Sequence, residues 1–317
     1  MGTRIDRGSI ARLALLALIW GSGFLWIKLA LRGFTPVQIV LARLLLGVMV
    51  LAPIALVRQM PLPSGRRIWA HLVVAALLAN AVPYTLFGIG EQTVGSNVAG
   101  VLNATTPLWT MLVAVLAGTD RAVNGWRAAG IASGFAGTVL IFTPWESATE
   151  IASWGGLACL AASASYGLSY VYMGRHLAGR GIPPIMLSTC QLAVGTALLI
   201  LALPFGGLTV PTWSAVPVSS LVILGTVGTG LAYVLNYRLI SDLGSTAAST
   251  TTYLLPVVAV VLGALVLKEP VTAPMVAGMI LVLAGIALVQ LRLDPSTART
   301  TLATAGAPPR DAHEQPD

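Results

Sequence analysis

The 317-residue chain is 56% hydrophobic and only 9% charged, against roughly a quarter charged in soluble domains, which excludes a water-soluble globular protein. Its net charge of +7 would suggest nucleic acid in a soluble chain, but here the basic residues lie between apolar runs rather than on one face, which argues against a nucleic-acid partner. Cys159 and Cys190 both fall inside apolar runs and read as small buried hydrophobes, so neither a disulfide nor a metal or cofactor site is expected.

At about 20 apolar residues per span, ten helices are expected in chain order. The first half holds Ile10 to Leu31, Pro36 to Val57, Trp69 to Ile89, Gly95 to Ala117 and Trp126 to Phe142. The second holds Trp154 to Met173, Pro184 to Leu203, Ala215 to Tyr237, Ser245 to Leu267 and Pro274 to Leu291. Residues 1–9 form a short N-terminal segment, and Thr/Ala/Pro-rich residues 294–317 read as a disordered tail. The first apolar run is too long for a signal-peptide core and has no small-residue cleavage site after it, so it is expected to stay attached. With the N-terminus inside, 14 of the 18 Lys and Arg residues fall on the cytoplasmic side, and the even span count returns the C-terminus to that side.

The two halves repeat. An offset of 149 residues pairs Pro107 with Pro256, Tyr84 with Tyr233, Gly95 with Gly244 and Asp120 with Glu269. An offset of 148 pairs Pro36 with Pro184, Gly47 with Gly195, Gly130 with Gly278 and Gly137 with Gly285, and Trp20-Gly21 matches Tyr166-Gly167 at 146. Five spans is an odd number, so the second unit enters the membrane upside down. The expected fold is an all-α integral membrane protein of ten transmembrane helices in two inverted five-helix repeats, residues 10–142 and 154–291, a pattern of many secondary transporters.

Several motifs in register add a family likeness. They are Ile19-Trp20-Gly21-Ser22-Gly23-Phe24, Pro36 with Ala42-Arg43, and Ser96-Asn97-Val98-Ala99 leading to Pro107. The second half adds Leu267-Lys268-Glu269-Pro270 and the pairs Ala277-Gly278 and Ala284-Gly285. On these residues the chain resembles EamA-type carriers of the drug/metabolite transporter superfamily over Ile10 to Leu291. One departure is Gly118-Thr119-Asp120-Arg121, where such carriers usually have a Gly-Glu-Arg-like turn. The resemblance implies a non-enzymatic exporter of amino acids or related metabolites, with a cavity lined by helices 3, 4, 8 and 9 and closed by helices 1 and 6.

Candidate cavity residues follow from chemistry and from that implied placement. Arg43 lies about 10 Å below the end of helix 2 by helical rise, too deep to face lipid. It either ties helix carbonyls together or binds a substrate carboxylate. Its counterpart is Gln191. Asn80 with Tyr84 on helix 3, and Tyr233 with Asn236 on helix 8, share helix faces. Asn103 and Thr252 each stand four residues before a proline, where a side chain can satisfy a freed backbone group. Trp20, Phe24, Tyr166 and Tyr170 fall where the resemblance puts helices 1 and 6 beside the cavity. Pro107 and Pro256 are expected to act as conformational hinges inside helices 4 and 9.

All eleven carboxylates fall in loops, helix ends or the tail, and the three histidines are cytoplasmic, so mid-membrane proton-relay groups are missing. The sequence also lacks a P-loop. The expectation is a secondary carrier in the cytoplasmic membrane, with a small-molecule substrate and the bilayer as its partners. The competing reading is a membrane-embedded non-transport protein, either a lipid-acting enzyme or an assembly factor.

Overall fold

The computed structural model describes residues 7–90, 92–94, 96–118, 125–143, 145, 152–205, 208–262 and 271–291, and the regular structure among them is entirely helical. Apolar runs of this length satisfy their backbone groups only by helix or closed barrel. In chain order the helices are α1 (Arg7–Ala30), α2 (Pro36–Val57), α3 (Arg66–Ala76) and α4 (Val82–Gly90). These are followed by α5 (Ser96–Asn103), α6 (Thr106–Leu116), α7 (Gly125–Phe142), α8 (Trp154–His176) and α9 (Pro184–Ala202). The last are α10 (Ala215–Gly225), α11 (Ala232–Leu243), α12 (Ser245–Ser249), α13 (Thr251–Leu262) and α14 (Ala273–Leu291).

Five stretches among the described residues are long and apolar enough to cross a bilayer: Pro36–Val57, Arg66–Gly90, Val98–Leu116, Pro184–Ala202 and Ala215–Leu243. Large aliphatic side chains such as Leu56, Val57, Leu116 and Leu201 stand outward and exposed, as a lipid-facing surface requires. The chain is a multi-pass membrane protein.

Four elements depart from the expected single spans. Helix 3 is α3 and α4 joined by a π-helical turn, Leu77–Ala81, and helix 8 is α10 and α11 joined by another, Thr226–Leu231. The two π turns begin at positions 149 residues apart, the repeat offset itself. Helix 4 breaks at Ala104 and Thr105, and helix 9 breaks at Thr250. Pro107 is therefore not an interior proline: it sits in the first turn of α6, where its missing N–H costs no helical bond, whereas Pro256 does lie inside α13. At the breaks threonine hydroxyls add a second donor to carbonyls that already accept a backbone N–H: Thr105 donates to Leu102 O at 2.6 Å, and Thr250 and Thr251 donate to Ala247 O and Ala248 O. Asn103 and Thr252 were expected to satisfy backbone groups opened by the prolines, but their side chains form no hydrogen bond among the described residues, and Pro107 in the first turn of α6 opens no helical bond there. The Gly118 to Arg121 turn is described only at Gly118, and the Lys268-Glu269 turn and the tail lie outside the described residues.

α7 and α14 pack with their backbones almost touching. A Cβ on Gly137 would lie 2.5 Å from Gly278 O and one on Gly278 2.6 Å from Gly137 O; Gly130 and Gly285 face each other in the same way. The contacts run in opposite senses along the two helices, so the pair is antiparallel. Ser133 Oγ donates across the seam to Leu281 O at 3.0 Å.

Where α3 begins and α8 ends, the His71 and His176 rings stack at 4.4 Å, and His71 Nδ1 lies 2.7 Å from the Tyr172 hydroxyl. Burial, and then the positive neighbours His71, Arg175, Arg180 and Arg67, hold the His176 imidazole below its ordinary pKa. With a depressed folded pKa the unfolded chain takes up the proton first. The stabilisation is therefore complete above about pH 6.5 and is lost as pH falls below it. Thermal stability in detergent is expected to fall as pH drops below about 6.5, and His176→Gln to flatten that slope. An identical slope in the variant would remove His176 as its source.

Candidate central cavity

α2 starts sharply because Thr35 and Gln38 form a reciprocal capping box, with Pro36 at the first helical position. The cap also anchors the far loop, since Gln38 Nε2 donates to Thr209 O at 2.6 Å and Thr212 N donates to Gly33 O at 2.9 Å. Seven residues in, Arg43 is 8% exposed. One turn further, Gly47 lets the π turn of helix 8 approach closely: a Cβ there would lie 3.4 Å from both Gly225 O and Gly230 N. That approach brings Thr229 to Arg43, whose Nε donates to Thr229 Oγ1 at 2.9 Å. The Thr229 hydroxyl in turn donates to Leu224 O, five residues back, as a π turn allows. The guanidinium carbon stands 4.1 Å over the Tyr84 ring, a cation–π contact worth about 2 kcal/mol when desolvated. Nη1 and Nη2 have no hydrogen-bond partner among the described residues and are not closed off from solvent.

Behind this lies a second polar cluster, buried throughout, of whose side chains only Tyr233 also lines the cavity among the described residues. Pro83 has no N–H for the carbonyl of Ala79, and the Tyr233 hydroxyl fills the gap at 2.7 Å. Asn80 Nδ2 donates to the same hydroxyl at 2.7 Å, while Asn80 Oδ1 accepts from Gln191 Nε2 at 2.8 Å. The chain ends at the Tyr237 hydroxyl, which donates to Gln191 Oε1. The two clusters are counterparts. Arg43 matches Gln191 at offset 148 and Thr229 matches Asn80 at 149, so each half sends its helix-2 residue to the π turn of the other half.

Nine of the expected site residues line one cavity of about 1200 Å³, open mouth included: Trp20, Arg43, Tyr84, Asn103, Tyr166, Tyr170, Tyr233, Asn236 and Thr252. Asn80 does not. It is fully buried in the Gln191 network, because the π turn rotates it away from the Tyr84 face. The Phe24 side chain lies outside the described residues, as does that of Lys28. Phe87, Gly88, Thr106 and Ser169 line the cavity without having been singled out, and Thr229 was missed as the partner of Arg43. The offset of 149 from Asn80 would have found Thr229. The cavity lining runs from Leu31, Pro36 and Gly88, at the α1–α2 end of the bundle, to Tyr170 and Met173 in the last turns of α8. At the opposite end Asp242 bridges Arg12 at 2.9 Å and Arg238 at 3.1 Å, and Ser245 Oγ donates to Tyr170 O. Among the described lining residues Arg43 is the single charged side chain, with no carboxylate, imidazole or thiol.

The sequence matches the EamA-like transporter family twice, over residues 9–143 and 153–291. It is 28% identical over 282 residues to the uncharacterized transporter YdfC of Bacillus subtilis, covering 89% of this chain and 90% of that one. It is 29% identical over 252 residues to the uncharacterized inner membrane transporter YedA of Escherichia coli K12, covering 78% and 79%. A crystal structure of a protein 19% identical in sequence superposes with a TM-score of 0.74 over 93% of this chain and 98% of that one, which establishes the shared fold. With both halves matched and the cavity between them, the chain belongs to the EamA-like transporter family.

Proposed function

We propose that this protein is a secondary transporter that exports small metabolites, amino acids or related compounds, across the cytoplasmic membrane by alternating access. Arg43 is the observation that carries the reading: a guanidinium buried between the halves, braced through Nε, with its Nη atoms turned to a cavity. Such a group binds carboxylates through paired, charge-assisted hydrogen bonds. It has a counterpart position, Gln191, in the other half.

Ten spans in two inverted five-helix repeats, residues 10–142 and 154–291, supply the moving parts of this proposal. The reciprocal glycine contacts support it. Gly130 and Gly278 are repeat counterparts, as are Gly137 and Gly285, yet Gly130 faces Gly285 and Gly137 faces Gly278, as a two-fold axis in the membrane plane requires. With both termini inside, the Leu31, Pro36 and Gly88 end of the cavity faces outward and the Arg12–Asp242–Arg238 cluster lies at the cytoplasmic end. Inward opening separates those charges, and Pro256 with the break at Thr250 gives helix 9 a place to bend. Pro107 contributes at the equivalent break in helix 4. Lipid-acting catalysis is the weaker reading, because the described lining offers no acid/base pair.

Two measurements test the proposal. Purified protein in proteoliposomes is expected to drive counterflow of a solute from an amino-acid and organic-acid panel; no flux across the panel would refute a carrier. Reporter fusions after Gln59 and after Ala148 are expected on opposite sides of the membrane, and two cytoplasmic readings would refute the inverted repeat.

A further inference from the structure

We propose that the cavity selects an organic monoanion: a carboxylate on Arg43, an uncharged hydroxyl or oxo group at Asn236, and a flat apolar body among Tyr84, Phe87 and Tyr166. The inference rests on the carrier reading above and narrows its cargo to amino-acid-related monoanions, leaving the zwitterionic amino acids aside.

Charge balance comes first. Arg43 is the single charged side chain among the described lining residues, it is nearly buried, and no carboxylate among them offsets it. A buried charge is stable when paired, and the one pairing within the protein is partial: a threonine hydroxyl on Nε and a tyrosine face under the plane. Both Nη groups stay open, presenting the fork that a carboxylate fills bidentately. One carboxylate neutralises the site. A zwitterion would bring a second cation into a cavity whose described lining holds nothing negative to receive it, and a cationic solute would be repelled.

The second contact comes from an unsatisfied amide. Asn236 is 3% exposed and lines the cavity, and neither its Oδ1 nor its Nδ2 has a hydrogen-bond partner among the described residues. Thr106 Oγ1, also on the lining, is likewise buried without a partner. Buried polar groups are almost always satisfied, so these orphans point to a ligand that completes them. An amide that turns about its side-chain torsion offers either N–H or C=O, which suits a hydroxyl or oxo group.

Ring geometry sets the body between these contacts. Tyr166 stands edge-on to Tyr84 at 6.2 Å and nearly parallel to Phe87 at 6.0 Å, giving flat walls that favour a planar guest.

The test uses five probes with one ring system, measured against the purified full-length protein at pH 7 by calorimetry: indole-3-lactate, indole-3-propionate, tryptophan, indole-3-acetamide and tryptamine. Indole-3-lactate is expected to bind about 10-fold or more tightly than tryptophan, and at least about 100-fold more tightly than the amide and the amine, as loss of a charge-assisted bond implies. Asn236→Leu is expected to remove the advantage of indole-3-lactate over indole-3-propionate, which lacks the hydroxyl. Tryptophan or tryptamine binding as well as the lactate would overturn the inference, and so would failure of all the probes. Counterflow of some other solute in proteoliposomes would then leave the carrier reading standing, whereas absence of all counterflow would remove both.

Discussion

Arg43→Gln is expected to lower the apparent affinity for carboxylate-bearing solutes by about 30- to 5000-fold, the range for removing one partner of a buried hydrogen-bonded charge pair. The variant copies Gln191 from the other half, so it suits a helix-2 environment of this fold. Arg43→Lys keeps the charge but cannot hold Thr229 through Nε and present a fork at the same time, so an intermediate loss of about 10-fold is expected. Both substitutions also remove the hydrogen bond to Thr229 and weaken the contact with Tyr84, so melting temperature and affinity must be read on the same purified protein. A stable Arg43→Gln protein with selective loss of carboxylate solutes supports the binding role. Lowered stability with unchanged affinity would reduce Arg43 to a brace between α2 and helix 8, and normal transport by a stable variant would remove it from the site.

The second large effect is expected at the α7–α14 seam. Gly137→Leu puts a Cβ 2.5 Å from the Gly278 carbonyl oxygen and 2.7 Å from Val282 N, with three further carbons behind it, so the helices must separate. Overpacking costs about 1–3 kcal/mol where side chains can yield; here the obstacle is backbone, and the loss is expected at or above that range. Small residues drive helix association in lipid because close approach maximises packing. A melting temperature unchanged by Gly137→Leu would show that the seam does not hold the halves together. Gly125→Ala serves as the control: a Cβ there meets nothing within 4 Å, and its effect is expected within about 0.5 kcal/mol.

How much of this was legible beforehand differs from residue to residue. Apolar run length alone marked most helices, because lipid leaves the backbone no other partner; the expected Pro36 to Val57 coincides with α2. The repeat offset was equally legible, since it needs only residue identities, and it carries Arg43 onto Gln191 and Tyr84 onto Tyr233. Membership in the family followed from motifs in that register. Hydropathy has no term for the hydrogen-bond register inside a helix, so the π turns at Leu77–Ala81 and Thr226–Leu231 were invisible. Those turns moved Asn80 out of the cavity and brought Thr229 to Arg43. The breaks at Thr105 and Thr250 were hidden for a related reason: tight backbone turns and threonine hydroxyls bond the same carbonyls locally, so a continuous apolar stretch can still be two helices. The sequence by itself determined that this chain lies in a membrane as two related halves, because composition and offset depend on no contact. Only the tertiary structure decided which polar groups meet. A hydrogen bond across the halves depends on where backbones can touch, and here Gly47 against the turn of helix 8 sets that distance.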